Sequence, residues 1–381
     1  MIPSCLDSLH SLNAGIKPYV KYLLTQDISR LSIANEPVLI TDASSGCLSQ
    51  STAVGNRCDR FKLKIPYAQQ SLTWEVIFDS ANLKEPPDFI FDQEDDDFCP
   101  PLEQINSFVC WDWQNSESLA AVLVELLEFY KEYQLKRAGT NLVLQRHMGS
   151  LLEMSPDSLQ VVVNKKERGL GTANVLVRLE ENFSDLPAYL AEGNPGTDAA
   201  VLHVCFPYPE SAAVQTQMFL SPRLDTAFGG ASSLHIPVFQ HGVLLGEYVE
   251  NVRQLLKQQV KLVCEGYEKR KDYIAAFLSH FGTAVLEYDA QSFSKISLLF
   301  EWNDFFFIFA VELPLYFPAD HPTFIFKSVY HNQNKKPYTE RYVNFPYSPR
   351  WNGNEMAKRA SAFILNTIKD FQKASVNNSD K

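Results

Sequence analysis

The side chains in this sequence that could do covalent or metal chemistry are scattered. Its seven cysteines, Cys5, Cys47, Cys58, Cys99, Cys110, Cys205 and Cys264, form no Cys-x-x-Cys pair. A thiol attacks only as its thiolate, which needs a neighbouring cation, a base or a helix N-terminus. Cys99 instead follows the acidic run Asp92-Gln93-Glu94-Asp95-Asp96-Asp97, a setting that opposes ionisation, and Cys110 directly abuts Trp111. The eight histidines, His10, His147, His203, His235, His241, His280, His321 and His331, include no pair spaced to set two imidazoles on one metal ion. His203 and Cys205 share a face at strand spacing, but two ligands do not close a four-coordinate zinc site, and core burial is the expectation. Gly169-Leu170-Gly171-Thr172-Ala173-Asn174 lacks the third glycine of a dinucleotide fingerprint and reads as a β-turn. The expected catalytic residues, metals and cofactors are therefore none.

Composition sets the class. The chain has 381 residues, 45% hydrophobic and 21% charged, the balance of a globular protein of two or three domains. A net charge of -11 repels phosphate backbones, so protein rather than nucleic acid is the expected partner. The odd cysteine count suits a reducing compartment. Met1-Ile2-Pro3-Ser4-Cys5-Leu6-Asp7 lacks the features of a secretory signal. The most apolar run, Phe305 to Leu315, is shorter than the ~20 residues a membrane span needs and carries Glu312. No membrane association is expected, and the location is cytoplasmic, nuclear or both.

Any such residues would have to be positioned by regular elements, and two distant segments share one design. Leu72-Thr73-Trp74-Glu75-Val76-Ile77-Phe78 leads into Pro86-Pro87-Asp88-Phe89-Ile90-Phe91. Phe305-Phe306-Phe307-Ile308-Phe309-Ala310-Val311-Glu312-Leu313 leads into Pro322-Thr323-Phe324-Ile325-Phe326. Both read as strands, and both contain Pro-x-Phe-Ile-Phe. An earlier strand precedes each, at Phe61 to Ile65 and Ile296 to Glu301, and a tryptophan (Trp111 or Trp113; Trp351) precedes a closing helix. Asn352 and Glu355 have capping-box spacing, and Ala357, Ala360, Ser361, Ile364, Thr367, Ile368 and Phe371 recur on one helical face. Ser116 is the expected cap of the first closing helix, with Leu119, Val122, Leu123, Leu126 and Tyr130 as its buried stripe. Helices are also expected at 16–31 and from Val249 to about Phe281. The fold class is α+β, each copy a β-meander with flanking helices.

The region between the copies has two readings. A helix near 141–153, strands at 160–164, 174–180, 200–206 and 217–220, and Pro207-Tyr208-Pro209 follow the same order, as an eroded third copy would. Without Pro-x-Phe-Ile-Phe they fit an unrelated β-rich connector as well. The expected domains are 1–138, 139–248 and 249–381. Asp92 to Asp97 reads as a solvated loop, Gly229 to Ser233 as a loop, and Ser375 to Lys381 as a disordered tail.

This order resembles ubiquitin-conjugating enzymes around Pro86-Pro87 and Phe317-Pro318-Ala319-Asp320-His321-Pro322. In those enzymes a cysteine accepts ubiquitin as a thioester, after a His-Pro-Asn element whose asparagine helps hold the oxyanion. Neither copy has that element, and no cysteine follows Cys264. The resemblance thus implies tandem conjugating-enzyme-variant (UEV/RWD-like) domains that keep the fold without the chemistry. The alternative is a conjugating enzyme, or a conjugation cofactor that binds ubiquitin directly.

Longer blocks are more specific. Cys58 to Ala68, Pro86 to Phe91, Gly266 to Gly282 and Pro346-Tyr347-Ser348-Pro349-Arg350-Trp351-Asn352-Gly353 through Ala360 resemble the brain-and-reproductive-organ-expressed family. That resemblance implies a non-catalytic scaffold subunit of BRISC and of its nuclear sister complex in the DNA-damage response. There a JAMM-type zinc deubiquitinase cleaves lysine-sixty-three-linked ubiquitin chains. The implied partners are that enzyme, an Abraxas-type scaffold and a von Willebrand A-like subunit, with direct ubiquitin binding left open. In the variant family a groove beside the lost active site holds proline-bearing peptides. The matching stretch here, 335–347, offers Tyr338, Tyr342, Phe345 and Tyr347 as aromatic walls, although the same rings would also pack over the closing helix.

Overall fold

The computed structural model describes residues 9–25, 33, 36–46, 58–154, 158–166, 169–192, 196–207, 213–230 and 233–378. Cys5, Cys47, Tyr208-Pro209, Ala231-Ser232, the last three residues and 26–31 of the first expected helix lie outside them. The chain divides into two compact units: 1–181 with 197–224 and 235–254, and 182–196 with 225–234 and 255–381. No helix among the described residues is long and apolar enough to cross a membrane.

In the first unit, α1 (Lys17–Thr25) precedes four antiparallel strands in sequence order, β1 (Leu39–Ser44), β2 (Arg60–Tyr67), β3 (Gln70–Ile77) and β4 (Asp88–Ile90). Ala68 and Gln69, both at positive φ, close the β2–β3 hairpin. Strand alternation turns Phe61, Leu63, Ile65, Leu72, Trp74 and Val76 inward and Lys62, Lys64, Thr73 and Glu75 outward. After the one-turn α2 (Asn106–Val109), α3 (Ser118–Ala138) covers the inner face with the expected stripe, Leu119, Val122, Leu123, Leu126 and Tyr130. Ser116 does not cap this helix. The Asn115 side chain accepts from Glu117 N at 3.0 Å instead, in a turn leading into it.

A second meander follows α4 (Leu142–Leu152): β5 (Leu159–Lys166), β6 (Gly169–Arg178), β7 (Ala200–Phe206) and β8 (Gln215–Leu220). Gly169 to Asn174 is strand rather than turn, because Ala173 pairs with Val163 and Gly169 with Lys166. Glycine suits the site, since a Cβ on Gly171 would lie 2.9 Å from Asn164 O. Leu159 to Val163 are all buried, as in a strand covered on both faces.

The acidic run is not simply a solvated loop. Its Gln93–Asp95 turn closes over α3 and β5, and Asp95 is buried. The Asp95 carboxylate accepts from Tyr130 OH at 2.6 Å and Arg137 Nη1 at 3.0 Å, while Gln134, fully buried, takes the Val163 N–H at 3.0 Å. Burial, then the Asp95 carboxylate, raises the Tyr130 pKa, so its phenol stays a donor. Lys165 of β5 pairs with Asp96 and Asp97, and these contacts hold its ammonium charged.

The second unit contains most of α6 (Leu245–Phe281), which follows the short α5 (Pro222–Ala227). Then come β9 (Val285–Tyr288), β10 (Lys295–Trp302), β11 (Phe305–Glu312), β12 (Thr323–Gln333), β13 (Lys336–Tyr342) and α7 (Gly353–Asn377). The sheet is an antiparallel meander in the order β13-β12-β11-β10-β9. Ile296, Leu298, Phe307, Phe309, Val311, Phe324 and Phe326 pack against Tyr273 and Phe277 of α6 and against Ala360, Ile364, Ile368 and Phe371 of α7. Its outer strands, β9 and β13, were not foreseen.

Strands β2–β4 of the first meander and β10–β12 of the last match without a gap. Phe89 pairs with Val76 and Phe324 with Val311, while Leu63 pairs with Trp74 and Leu298 with Phe309. Asn303 and Asp304, at the place of Ala68 and Gln69, also have positive φ. Phe89 and Phe91 pack against one core, and Phe324 and Phe326 are buried in the other.

The expected disordered tail is helical as far as Asn377. Ser375, fully buried, meets His331 Nδ1 at 3.1 Å, and Asn378 Nδ2 donates to Tyr338 OH at 3.2 Å. At the other end Asn352 Oδ1 accepts from Glu355 N at 2.9 Å, but Glu355 turns to Arg359, so only half of the capping box forms.

Two stability predictions follow from buried polar groups. Gln134→Ala strands the Val163 N–H and is expected to cost about 1–3 kcal/mol. Calorimetry should show the melting temperature falling by roughly 2–4 °C for each of those kcal/mol, and an unchanged value refutes the role. In the second unit burial alone would raise the Asp289 pKa, but hydrogen bonds from Ser292, Ser294 and Gln291 bring it below 3.8. Its stabilisation is therefore present above the unfolded value of 3.8 and is lost as pH falls through the depressed folded one. Asp289→Asn should lower the melting temperature at neutral pH, with the gap to wild type closing in acid; a gap independent of pH rules this out.

Candidate functional site

Cys99 and Cys110 are exposed, and no imidazole is hydrogen-bonded to either among the described residues. Cys110 ends the one-turn α2, donating its N–H to Asn106 O at 2.8 Å. The amides at the start of that turn are taken by Glu125, through Asn106 N at 2.7 Å and Ser107 N at 3.1 Å. Trp111 is held inward by Leu83 O, 3.1 Å from its Nε1, with its ring 5.4 Å from that of Tyr19. His203 Nε2 lies 3.1 Å from Asn174 Oδ1, and burial raises the neighbouring Cys205 thiol. No group of three or more His, Cys, Asp or Glu able to hold a metal ion occurs among the described residues.

The aromatic stretch of the second unit is more organised. β13 places Tyr338, Glu340 and Tyr342 on one face, opposite the inner face of β12, with Tyr342 paired to Phe324. Tyr338 is buried with its ring 5.8 Å from Phe371, and its hydroxyl donates to Glu340 Oε1 at 2.7 Å. Tyr342 is half-buried between Phe326 at 5.4 Å and Phe363 at 5.5 Å, and its hydroxyl donates to the other oxygen of Glu340. Phe345 is buried and stacks on Phe324 at 3.9 Å and 11°.

Tyr347 is half-buried against the proline loop. Its hydroxyl donates to Pro318 O at 2.6 Å, beyond the cis Phe317-Pro318 bond, and its ring centroid is 4.8 Å from that of His321. Two rings of the stretch are thus core, while Tyr342 and Tyr347 keep accessible surface. Burial, then the charge of Asp320, pushes the Tyr347 phenol up to about 12; burial, then Glu340, raises Tyr342. Both are neutral hydrogen-bonding groups at physiological pH, suited to binding rather than acid–base catalysis.

Glu340 was missed from the sequence, although its place midway between two tyrosines on an alternating strand signals it. Trp351 was noted only as a landmark, yet the Arg359 guanidinium sits 4.6 Å over its ring.

Comparison with known proteins bears on the whole chain. The family model for the brain and reproductive organ-expressed protein (BRE) matches residues 10–332, ending before this aromatic stretch. A Danio rerio protein named BRISC and BRCA1-A complex member 2 is 44% identical over 348 residues, covering 89% of each chain. A Branchiostoma floridae protein of the same name is 41% identical over 378 residues, covering 98% of this chain and 97% of the relative. The chain therefore belongs to the brain and reproductive organ-expressed (BRE) protein family.

Proposed function

We propose that this chain is a non-catalytic scaffold subunit of a BRISC-type deubiquitinase complex and of its nuclear counterpart, serving in both cytoplasm and nucleus. The observation that carries the reading is identity of 41% along 98% of the chain with a relative named as a member of such complexes. In this reading the chain joins a JAMM-type zinc deubiquitinase, specific for lysine-sixty-three-linked ubiquitin chains, and an Abraxas-type scaffold to a von Willebrand A-like subunit.

Its parts are tandem conjugating-enzyme-variant domains, 1–138, 139–248 and 249–381. The gapless match of β2–β4 with β10–β12 supports two of them. The β5-β6-β7-β8 meander behind α4 supports the third. Tyr342 and Tyr347 are the accessible walls of a groove that takes a proline-bearing tail of the von Willebrand A-like subunit. Tyr338 and Phe345 back that groove from the core.

Two experiments test this. Incubated with ubiquitin, activating enzyme and ATP, the protein should form no reductant-sensitive adduct; a thioester lost in Cys99→Ala or Cys110→Ala would establish the conjugating reading instead. The Tyr342→Ala, Tyr347→Ala double variant, once its thermal stability is shown to be native, should bind the von Willebrand A-like subunit over tenfold more weakly. Losing an aromatic anchor typically costs ~2 kcal/mol or more. Undiminished affinity places the tail elsewhere.

A further inference from the structure

Helix α7 buries one face in the core of the second unit through Ala357, Ala360, Ile364, Ile368 and Phe371. On its solvent side Lys358, Leu365, Lys369 and Val376 recur at i, i+7, i+11 and i+18. At 3.6 residues per turn that spacing keeps the four within about 40° of one another, on a straight line roughly 27 Å long. All four are exposed, Leu365 at 57% and Val376 at 54%. Lys373, also exposed, stands one turn beyond Lys369 at the side of the line.

The lysines of this line differ from those of α6. There Lys261 lies 3.7 Å from Glu265 and Lys271 3.9 Å from Glu268, each a carboxylate one turn away on the same helix. None of Lys358, Lys369 and Lys373 has an ion pair among the described residues. Glu355 is engaged by Arg359 at 2.8 Å, and Asp370 lies about 100° round the helix from Lys369. A chain of net charge -11 thus sets three such cations around two exposed branched apolar side chains.

We infer that this line of α7 docks an acidic amphipathic helix of another subunit, an inference that rests on the complex-subunit reading above. Charge selects the occupant. A helix with an apolar seam flanked by Asp or Glu covers Leu365 and Val376 and pairs the lysines beside them. A second copy meeting this face across a two-fold axis would set lysine against lysine. A phosphate backbone would leave Leu365 and Val376 without an apolar contact, and the acidic chain as a whole repels it. The backbone decides the form of the partner. Because α7 satisfies its amides and carbonyls internally, it offers no edge to a strand, and contact comes from side chains packed into the grooves of a second helix. Exposed ion pairs are individually weak, so the contact depends on attachment elsewhere in the assembly, which raises the effective concentration of the helix.

The test uses the assembled complex purified on this chain, with a photo-crosslinking benzoyl-phenylalanine placed at Leu365, or at Asp370 as the control on the same helix. Irradiation should join Leu365, at least tenfold more than Asp370, to a segment of another subunit whose apolar residues have helical spacing and are flanked by carboxylates. Lys358→Glu, Lys369→Glu and Lys373→Glu together should cut that crosslink at least tenfold and leave the melting temperature unchanged. Exchanging the facing carboxylates for lysine should then restore it. If the triple variant melts lower, Lys369→Glu alone provides the same reading. No crosslink from a chain that still co-purifies with its subunits overturns the inference and leaves the subunit reading standing. Crosslinks only to a second copy, or to a segment without carboxylates or helical spacing, or undiminished in the variants, overturn it too. Failure to co-purify with any subunit overturns the reading and the inference together.

Discussion

In each matched meander an aromatic ring at the centre of the third strand meets the last ring of Pro-x-Phe-Ile-Phe. Trp74 meets Phe91 at 5.2 Å and 81°, and Phe309 meets Phe326 at 5.2 Å and 72°. An edge-to-face pair adds about 0.5–1.5 kcal/mol beyond burial of its area. Its larger effect is on register, because a slip of one residue would turn every inward side chain to the opposite face. The two-residue turns at Ala68-Gln69 and Asn303-Asp304 hold the neighbouring hairpin in the same register. Which face receives helices, and which is left to water or a partner, follows from these contacts.

With the inner faces fixed, each unit completes its packing with buried polar groups that have partners. In the first, Asp95, Tyr130, Gln134 and Arg137 join the acidic turn to α3, and the Val163 amide brings in the second meander. Ala68 N, which donates to Gln160 Oε1 at 3.1 Å, adds a further link from the β2–β3 turn to β5. In the second unit Arg270, 2% exposed, donates to Ser292 O at 3.0 Å and Leu315 O at 2.9 Å, tying α6 to the loops after β9 and β11. Apolar contacts would tolerate several arrangements, whereas hydrogen bonds made in low dielectric tolerate few, so these groups select one.

The central strands and closing helices were legible because their signals are local. Alternation marks Phe61, Leu63 and Ile65, and a period of 3.6 marks Ala360, Ile364, Ile368 and Phe371. Features that depend on distant partners were not. Asp95 reads as one more charge in an acidic run, and only the approach of Tyr130 and Arg137 makes it a core residue. Lys336 to Tyr342 has strand alternation, but its proline and charges disguise an edge strand, where both are tolerated. The helical end at Ser375 depends on His331, which lies far away in the sequence. For the aromatic stretch the residue types pointed to binding, but the division between core rings and accessible ones is set by which of them meet β12 and α7.

The recognition proposed for that stretch needs different physics from catalysis. A nucleophile requires a titratable group poised near neutrality, whereas burial moves the Tyr342 and Tyr347 phenols away from it. Their hydroxyls are already engaged, one by Glu340 and the other by Pro318 O, so the rings are held before any ligand arrives. Holding them this way reduces the entropy that binding would otherwise cost. A surface of this kind discriminates by shape and by hydrogen bonds to neutral groups, and over the physiological range its phenols contribute no change of charge. Binding of this kind uses no reactive thiol, and the aromatic packing that fixes the register also fixes the position of the rings.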